Sequence, residues 1–259
     1  MEFNTIIFEK NESIATVQFN RPGSMNAFNL ETLNELTAVF DEIARDDSIR
    51  VMILKGSDKV FAAGADIRDF VHYGPLEVRN YIEQAHAMGV KLNRMPKPTI
   101  ASMAGLALGG GCEIALGCDF RIAADNCKFG FPEINLGIFP AGGGTQRLAR
   151  VVGCARAREL ILTGDIIDSN RAEQIGLVSM VVPADQLEEA TLKLARKLSR
   201  KPPLAVAMIK DLLELSEHLD TSIGTMMERE KFSVLFATED KTEGMSAFLE
   251  GRKAVFKGK

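Results

Sequence analysis

The sequence predicts an α/β protein with a mainly parallel sheet, followed by an all-helical last quarter. Three observations carry that expectation. Short apolar runs alternate with longer amphipathic stretches as far as Val182, the pattern of strands joined by crossover helices. Glycine and proline punctuate the junctions between them. From Asp185 onward the strand signals stop.

Taken in order, Ser13 to Phe19 alternates like a half-buried strand, and Asn20-Arg-Pro-Gly23 breaks it. Asn29 is the expected N-cap of a helix from Leu30 to about Ala44, with Leu33, Leu36, Val39, Phe40 and Ile43 on one stripe. Val51 to Lys55 reads as a buried parallel strand. The small residues of Phe61 to Asp66 read as a loop, and a longer helix is expected from about Pro75 to Met95, ended by Pro96 and Pro98. Thr99 to Met103 is strand-like and runs into the glycines Gly109 to Gly111, where a helix begins. Phe120 to Ala123 and Phe129 mark further short strands, and Leu136 to Gly144 a glycine-rich loop. Helical patterns cover Thr145 to Val152 and Ala155 to Leu162; Ser169 is the expected cap of a short helix, and Val178 to Val182 a last strand. Residues Leu187 to Leu198, Leu204 to Leu215, Ile223 to Phe236 and Glu239 to Leu249 all read as amphipathic helices. Such stripes beyond the main core suit packing on another subunit.

Composition narrows the function. The 259 residues are 46% hydrophobic and 25% charged, enough for one large core with an appendage. The net charge is −4 with no long run of one sign, which argues against a nucleic-acid surface. The four cysteines lack C-x-x-C spacing and are expected as free thiols in a reducing cytoplasm. The N-terminal residues show no signal-peptide pattern. Thr99 to Cys118 approaches spanning length, but its five glycines and Glu113 favour a core strand joined to a core helix over a membrane span.

Several chemistries drop out. There is no G-x-x-x-x-G-K-[ST], no G-x-G-x-x-G and no G-x-S-x-G, which removes the P-loop, the dinucleotide fingerprint and the nucleophile elbow. His72, His86 and His218 show no metal-ligand spacing and read as surface or packing residues. What remains is backbone amides and carboxylates. The triplet Gly109 to Gly111 at a helix start is suited to exposing N–H groups to an anion. Glu113 and Glu133 stand in apolar contexts. Each could simply favour a helix or turn terminus; as a pair beside glycine-rich loops they suit a general acid and base sharing one water.

Along essentially its whole length the chain resembles the enoyl-CoA hydratase/isomerase (crotonase) family. The resemblance is carried by Asn20-Arg-Pro22, Asn26-Ala27, Phe61-Ala-Ala-Gly-Ala-Asp-Ile67, the Ala101 to Asp119 stretch and Phe131-Pro-Glu-Ile-Asn-Leu-Gly137. It continues through Gly143-Gly-Thr-Gln-Arg-Leu148, Leu162-Thr-Gly-Asp165 and Glu243-Gly-Met-Ser-Ala-Phe248. It implies a crotonase-like ββα spiral over residues 1–198 and a helical trimerisation region over residues 199–259, usually in a trimer or a dimer of trimers. It also implies an acyl-CoA thioester as substrate, in fatty-acid or related breakdown, and no cofactor or metal.

By motif position the backbone N–H groups of Ala65 and Gly110 would form an oxyanion hole for the thioester. Glu113 would activate the water and Glu133 would protonate the substrate, with Phe129, Phe131 and Ile134 as candidates for the apolar surround that such an acid needs. Asn26, Ala27, Ala63, Ala65, Asp66, Ile67, Arg68, Gly110 and Ala141 match positions that contact the CoA or the acyl group. Arg68 suits a phosphate partner but equally a solvated arginine, and the same two readings apply to Arg252, Lys253 and Lys257. Met88, Leu92 and Phe139 are expected to set the pocket's depth. Many relatives have glycine where this chain has Ala141. Keeping both glutamates favours a hydratase of 2-trans-enoyl-CoA. A Δ3–Δ2 isomerase, a hydratase of branched or aromatic acyl-CoA, and a non-catalytic CoA- or RNA-binding relative are the alternatives.

Overall fold

The computed structural model describes residues 3–259. It opens with an antiparallel hairpin, β1 (Ile6–Asn11) and β2 (Ile14–Phe19), then α1 (Leu30–Arg45). Three successive ββα turns follow. The first is β3 (Val51–Lys55), β4 (Val60–Ala62) and, after the short α2 (Ile67–Phe70), α3 (Pro75–Asn93). The second is β5 (Thr99–Met103), β6 (Leu106–Leu108) and α4 (Gly110–Leu116). The third is β7 (Phe120–Ala124), β8 (Lys128–Gly130), a 3-10 turn at Pro132–Leu136 and α5 (Gly144–Val152). Then come α6 (Cys154–Thr163), β9 (Ile166–Asp168), α7 (Ser169–Gln174), β10 (Met180–Val182) and four helices: α8 (Leu187–Ser199), α9 (Pro203–Ser216), α10 (Thr221–Leu235) and α11 (Glu239–Leu249).

Each turn contributes one strand to each of two sheets. The larger has the order β1-β2-β3-β5-β7-β10, and the smaller β4-β6-β8-β9. Pairing is parallel except at β1–β2 and β8–β9. Alternation along β3 explains the layering, because successive side chains face opposite sides. Met52 and Leu54 join the main core with Leu36, Phe40 and Phe61, whereas Val51 and Ile53 join a second cluster with Ile100, Ile122 and Ala195 of α8. Both faces of the sheet are therefore covered, which is why its strands are continuously apolar.

Helix α8 thus packs on the larger sheet, whereas the long helices that follow it bury little. No hydrophobic residue of α9 or α10 is buried.

Most expected elements appear within a residue or two. Strand β1 was not foreseen, nor were the three-residue β4, β6 and β9, which are too short for a period to show. The stretch expected as a loop from Phe61 therefore begins inside β4. Ser169 is not the cap of α7: Asp168 accepts from the Arg171 N–H, while the buried Ser169 hydroxyl donates to the Asp125 carbonyl. The last strand is shorter than expected because Val178 is buried in the core ahead of it, not paired in the sheet.

Candidate functional site

Three segments converge at the ends of the smaller sheet's strands. The first is the loop after β4. Phe28 bridges Ala65 in parallel register: its N–H donates to Gly64 O at 2.8 Å, and its carbonyl accepts from Asp66 N at 2.9 Å. A parallel bridge uses the groups flanking the bridged residue and leaves that residue's own N–H pointing away. The Ala65 N–H accordingly meets no backbone acceptor among the described residues. The Tyr81 hydroxyl donates to the same Phe28 carbonyl at 2.9 Å, fixing the bridge from α3.

The second segment is the β6–α4 junction. Gly109 has φ +49°, a left-handed angle that glycine tolerates best. Its N–H is held by Gly130 O at 2.9 Å. Gly110 is the first residue of α4, where an N–H has no intrahelical acceptor. A Cβ on Gly110 would lie 3.4 Å from Gly64 Cα, so the two loops touch. The unpaired N–H groups of Ala65 and Gly110 therefore belong to neighbouring strands of chain at one wall of a cleft.

The third segment runs from the 3-10 turn at Pro132–Leu136 to the start of α5, and the two glutamates meet it or lie on it. Glu113, one turn into α4, is 7% exposed; its Oε1 accepts from the Gly144 N–H at 2.6 Å, at the start of α5. Burial raises its carboxyl above the usual range, while N–H groups of Gly144 and Gly142 and the Arg147 charge pull the other way. Glu133 sits on the 3-10 turn against Gly109, where a Cβ would collide with its carboxylate. Its Oε2 is buried with no hydrogen-bond partner among the described residues. Burial, reinforced by the charge of Glu113, pushes its carboxyl up to about 7.

The cleft between these segments opens to solvent and spans about 920 Å³, its open mouth included. Glu113, Glu133, Ala65 and Gly110 all line it, with Ala63, Ile67 and Ala141, and so do Met88, Leu92 and Phe139. Asn26, Ala27, Asp66 and Arg68 do not. The Asn26 amide is spent on backbone: it accepts from Arg21 N and donates to Val60 O and Phe61 O. Ala27 is buried and its carbonyl accepts from Arg21. Asp66 is buried between Arg21, at 3.0 Å, and Arg68, at 3.2 Å. The Arg68 side chain is 69% exposed and also donates to Ser24. Phe129 and Phe131 lie in the main core, and Ile134 is exposed; the apolar residues that line the cleft with Glu133 include Phe28, Leu136 and Ile138. Ala141 is not among the residues with positive φ, so its side chain imposes no strain.

Sequence reasoning gave no role to the residues that hold the pair. Gly142 and Gly144 are required by closeness: a Cβ on either would lie under 3 Å from a Glu113 oxygen. Arg147 lines the cleft from α5, and its guanidinium donates to the Gly142 carbonyl at 3.0 Å. His86 Nε2 lies 2.7 Å from the Ala141 carbonyl, tying α3 to the same loop. Arg147 stands within the Gly143-Gly-Thr-Gln-Arg-Leu148 match, which assigned it no role of its own.

A family model described as enoyl-CoA hydratase/isomerase matches residues 9–259. The chain is 43% identical, over 99% of both chains, to a protein of Syntrophomonas wolfei named crotonyl-CoA hydratase. It is 41% identical to a short-chain-enoyl-CoA hydratase of Clostridium acetobutylicum, over 98% of this chain and 97% of that one. The fold is similar to a crystal structure of enoyl-CoA hydratase from Bacillus anthracis, with a TM-score of 0.96 and 36% identity, over 99% of this chain and 100% of that one.

Proposed function

The chain belongs to the enoyl-CoA hydratase/isomerase family, and we propose on that basis that it adds water across the 2,3 double bond of a 2-trans-enoyl-CoA to give a 3-hydroxyacyl-CoA. One observation carries the reading. Two carboxylates share one apolar cleft but are hydrogen-bonded oppositely: Glu113 receives a backbone N–H, and Glu133 keeps an oxygen without a partner. Hydrogen bonds to an oxygen favour the charged form, and burial without them favours the neutral one. Burial raises both carboxyls, but the Gly144 and Gly142 N–H groups and Arg147 pull Glu113 back toward its charged form, so we assign Glu113 as the base and Glu133, titrating near neutrality, as the acid.

In the proposed reaction the thioester carbonyl lies between the N–H groups of Ala65 and Gly110. Glu113 removes a proton from water as its oxygen bonds C3. Negative charge moves to the thioester oxygen, where the two donors stabilise the enolate. Glu133 then delivers its proton to C2, and the 3-hydroxyacyl-CoA leaves. No cofactor or metal enters this scheme.

Arg68, next in sequence to the cleft-lining Ile67, is the proposed phosphate partner of CoA at the rim. Residues 199–259 are proposed as the oligomerisation region, on the strength of the apolar groove between α9 and α10. Four free cysteines fit a reducing compartment such as the cytoplasm, and no helix of the described residues is long and apolar enough to cross a membrane.

Crotonyl-CoA is the first substrate to test, as the one named for a 43% identical relative. The purified protein should abolish the absorbance of the conjugated thioester. Persistence of that absorbance while a 3-enoyl-CoA is consumed would replace hydration by Δ3–Δ2 isomerisation. Loss with neither substrate, alongside tight CoA binding, would make the chain a non-catalytic binder.

A further inference from the structure

The glycine run at the start of α5 is clasped from two sides. Gly142 and Gly144 lie under the Glu113 carboxylate. On the other side, Arg147 donates to the Gly142 carbonyl at 3.0 Å, and its guanidinium lies where a Cβ on Gly143 or Gly89 would be. Arg147 forms no salt bridge among the described residues, and neither does Glu113. Burial of a guanidinium at a cleft wall without a direct ion pair is costly, and the charge of Glu113 is the largest that offsets it.

We propose that Arg147 is a positioning residue: it locks the Gly142–Gly144 backbone under Glu113 and supplies the positive charge that faces this carboxylate. The inference rests on Glu113 being the base. Its chemistry follows from the guanidinium's shape. A planar, permanently charged group can hold a carbonyl with one N–H while presenting its charge elsewhere. Held in this way, the Gly144 N–H stays aimed at Glu113 Oε1, and the base stays aimed at water. Because a misplacement of about 1 Å can cost ~10²-fold in rate, a loose Gly142–Gly144 segment would act on kcat more than on binding.

The other charges in reach are few. Besides Arg147 on α5, Glu133 on the 3-10 turn and Tyr81 on α3 feel the charge of Glu113. Arg147 in turn feels Glu113, Glu214 and Glu217 of the α9 region, and Arg150 of its own helix. Among the described residues, Arg147 is the cation whose charge acts on Glu113. Removing it leaves burial less opposed, so Glu113 should take up its proton at higher pH.

The test is steady-state hydration of crotonyl-CoA against pH by Arg147→Gln and Arg147→Lys, beside Glu113→Gln. Arg147→Gln should lose about 10- to 100-fold in kcat with KM changed less than about threefold. Its acidic limb in kcat/KM should move up by about one pH unit. Arg147→Lys, which keeps the charge but not the fork, should restore the limb and only part of the rate. An unmoved limb in Arg147→Gln, or a loss confined to KM, would overturn the proposal. Should Arg147→Gln fail to fold, Arg147→Lys decides alone: wild-type kcat there removes any need for the fork. If Glu113→Gln keeps wild-type activity, the base assignment fails first; if it is inactive while Arg147→Gln is normal, only the role of Arg147 fails.

Discussion

At the scale of single residues, the proposed acid/base pair consists of two carboxylates of unequal surroundings. Glu133 titrates in the folded chain near 7 against an ordinary 4.5, so between those values the folded state binds more protons than the unfolded one. Stability contributed by this group must then fall as pH rises from about 4.5 to about 7 and level off above. Glu133→Gln removes the proton uptake. Urea midpoints of the variant relative to wild type should therefore climb across that window, and a difference independent of pH would contradict the burial argument. The same titration should make kcat/KM decline above about pH 7 as the acid loses its proton, and decline at low pH as Glu113 gains one. That both glutamates line one cleft agrees with the sequence, where a carboxylate amid Gly-Gly-Cys or Phe-Pro and Ile is out of place. Arg147 was not legible there, because a cation in an amphipathic helix is ordinary until its partners are known. Nor could spacing tell that the Asn26 side chain, matched by motif to a ligand-contacting position, is committed to Arg21, Val60 and Phe61.

At the scale of elements, the site is a set of chain ends. The Ala65 N–H is freed by a one-residue parallel bridge, and the Gly110 N–H by the start of α4. Gly110→Pro tests the second donor with little collateral change. Proline is tolerated at a first helical position, and a Cβ on Gly110 would meet its neighbours at ordinary contact distances. The variant should keep its circular dichroism and melting behaviour yet lose ~10²–10³ in kcat; retention of wild-type kcat would remove Gly110 from the oxyanion hole. The long elements were readable, since α1 and α3 show several turns of periodicity and β3 and β5 are uninterrupted apolar runs. Of the second sheet only β8, at Phe129, was readable. Its three-residue strands owe their pairing to the larger sheet's register and to the preceding turns, which local sequence does not encode.

At the scale of the whole molecule, the helices after α8 leave apolar surface uncovered, with Phe248 and Leu249 more than four-fifths exposed and Phe232 60% exposed. A face of that kind is stable in water when another copy covers it. Sedimentation should therefore show three or six chains, and Phe232→Asp should shift the protein toward smaller species; a monomeric wild type would contradict the proposed oligomerisation region. The change from alternating elements to helices alone was visible in the sequence at Asp185, but α8 belongs with the sheet, because its apolar stripe meets Val51, Ile53 and Ile100. The account as a whole stands on one carboxylate pair acting on one thioester. Its most direct test is the rate of crotonyl-CoA hydration by wild type, Glu113→Gln and Glu133→Gln, with CoA-product affinity measured in parallel. Each variant should lose at least ~10² in kcat while binding product within a few-fold of wild type. Near-normal turnover in both variants would contradict the acid/base pair.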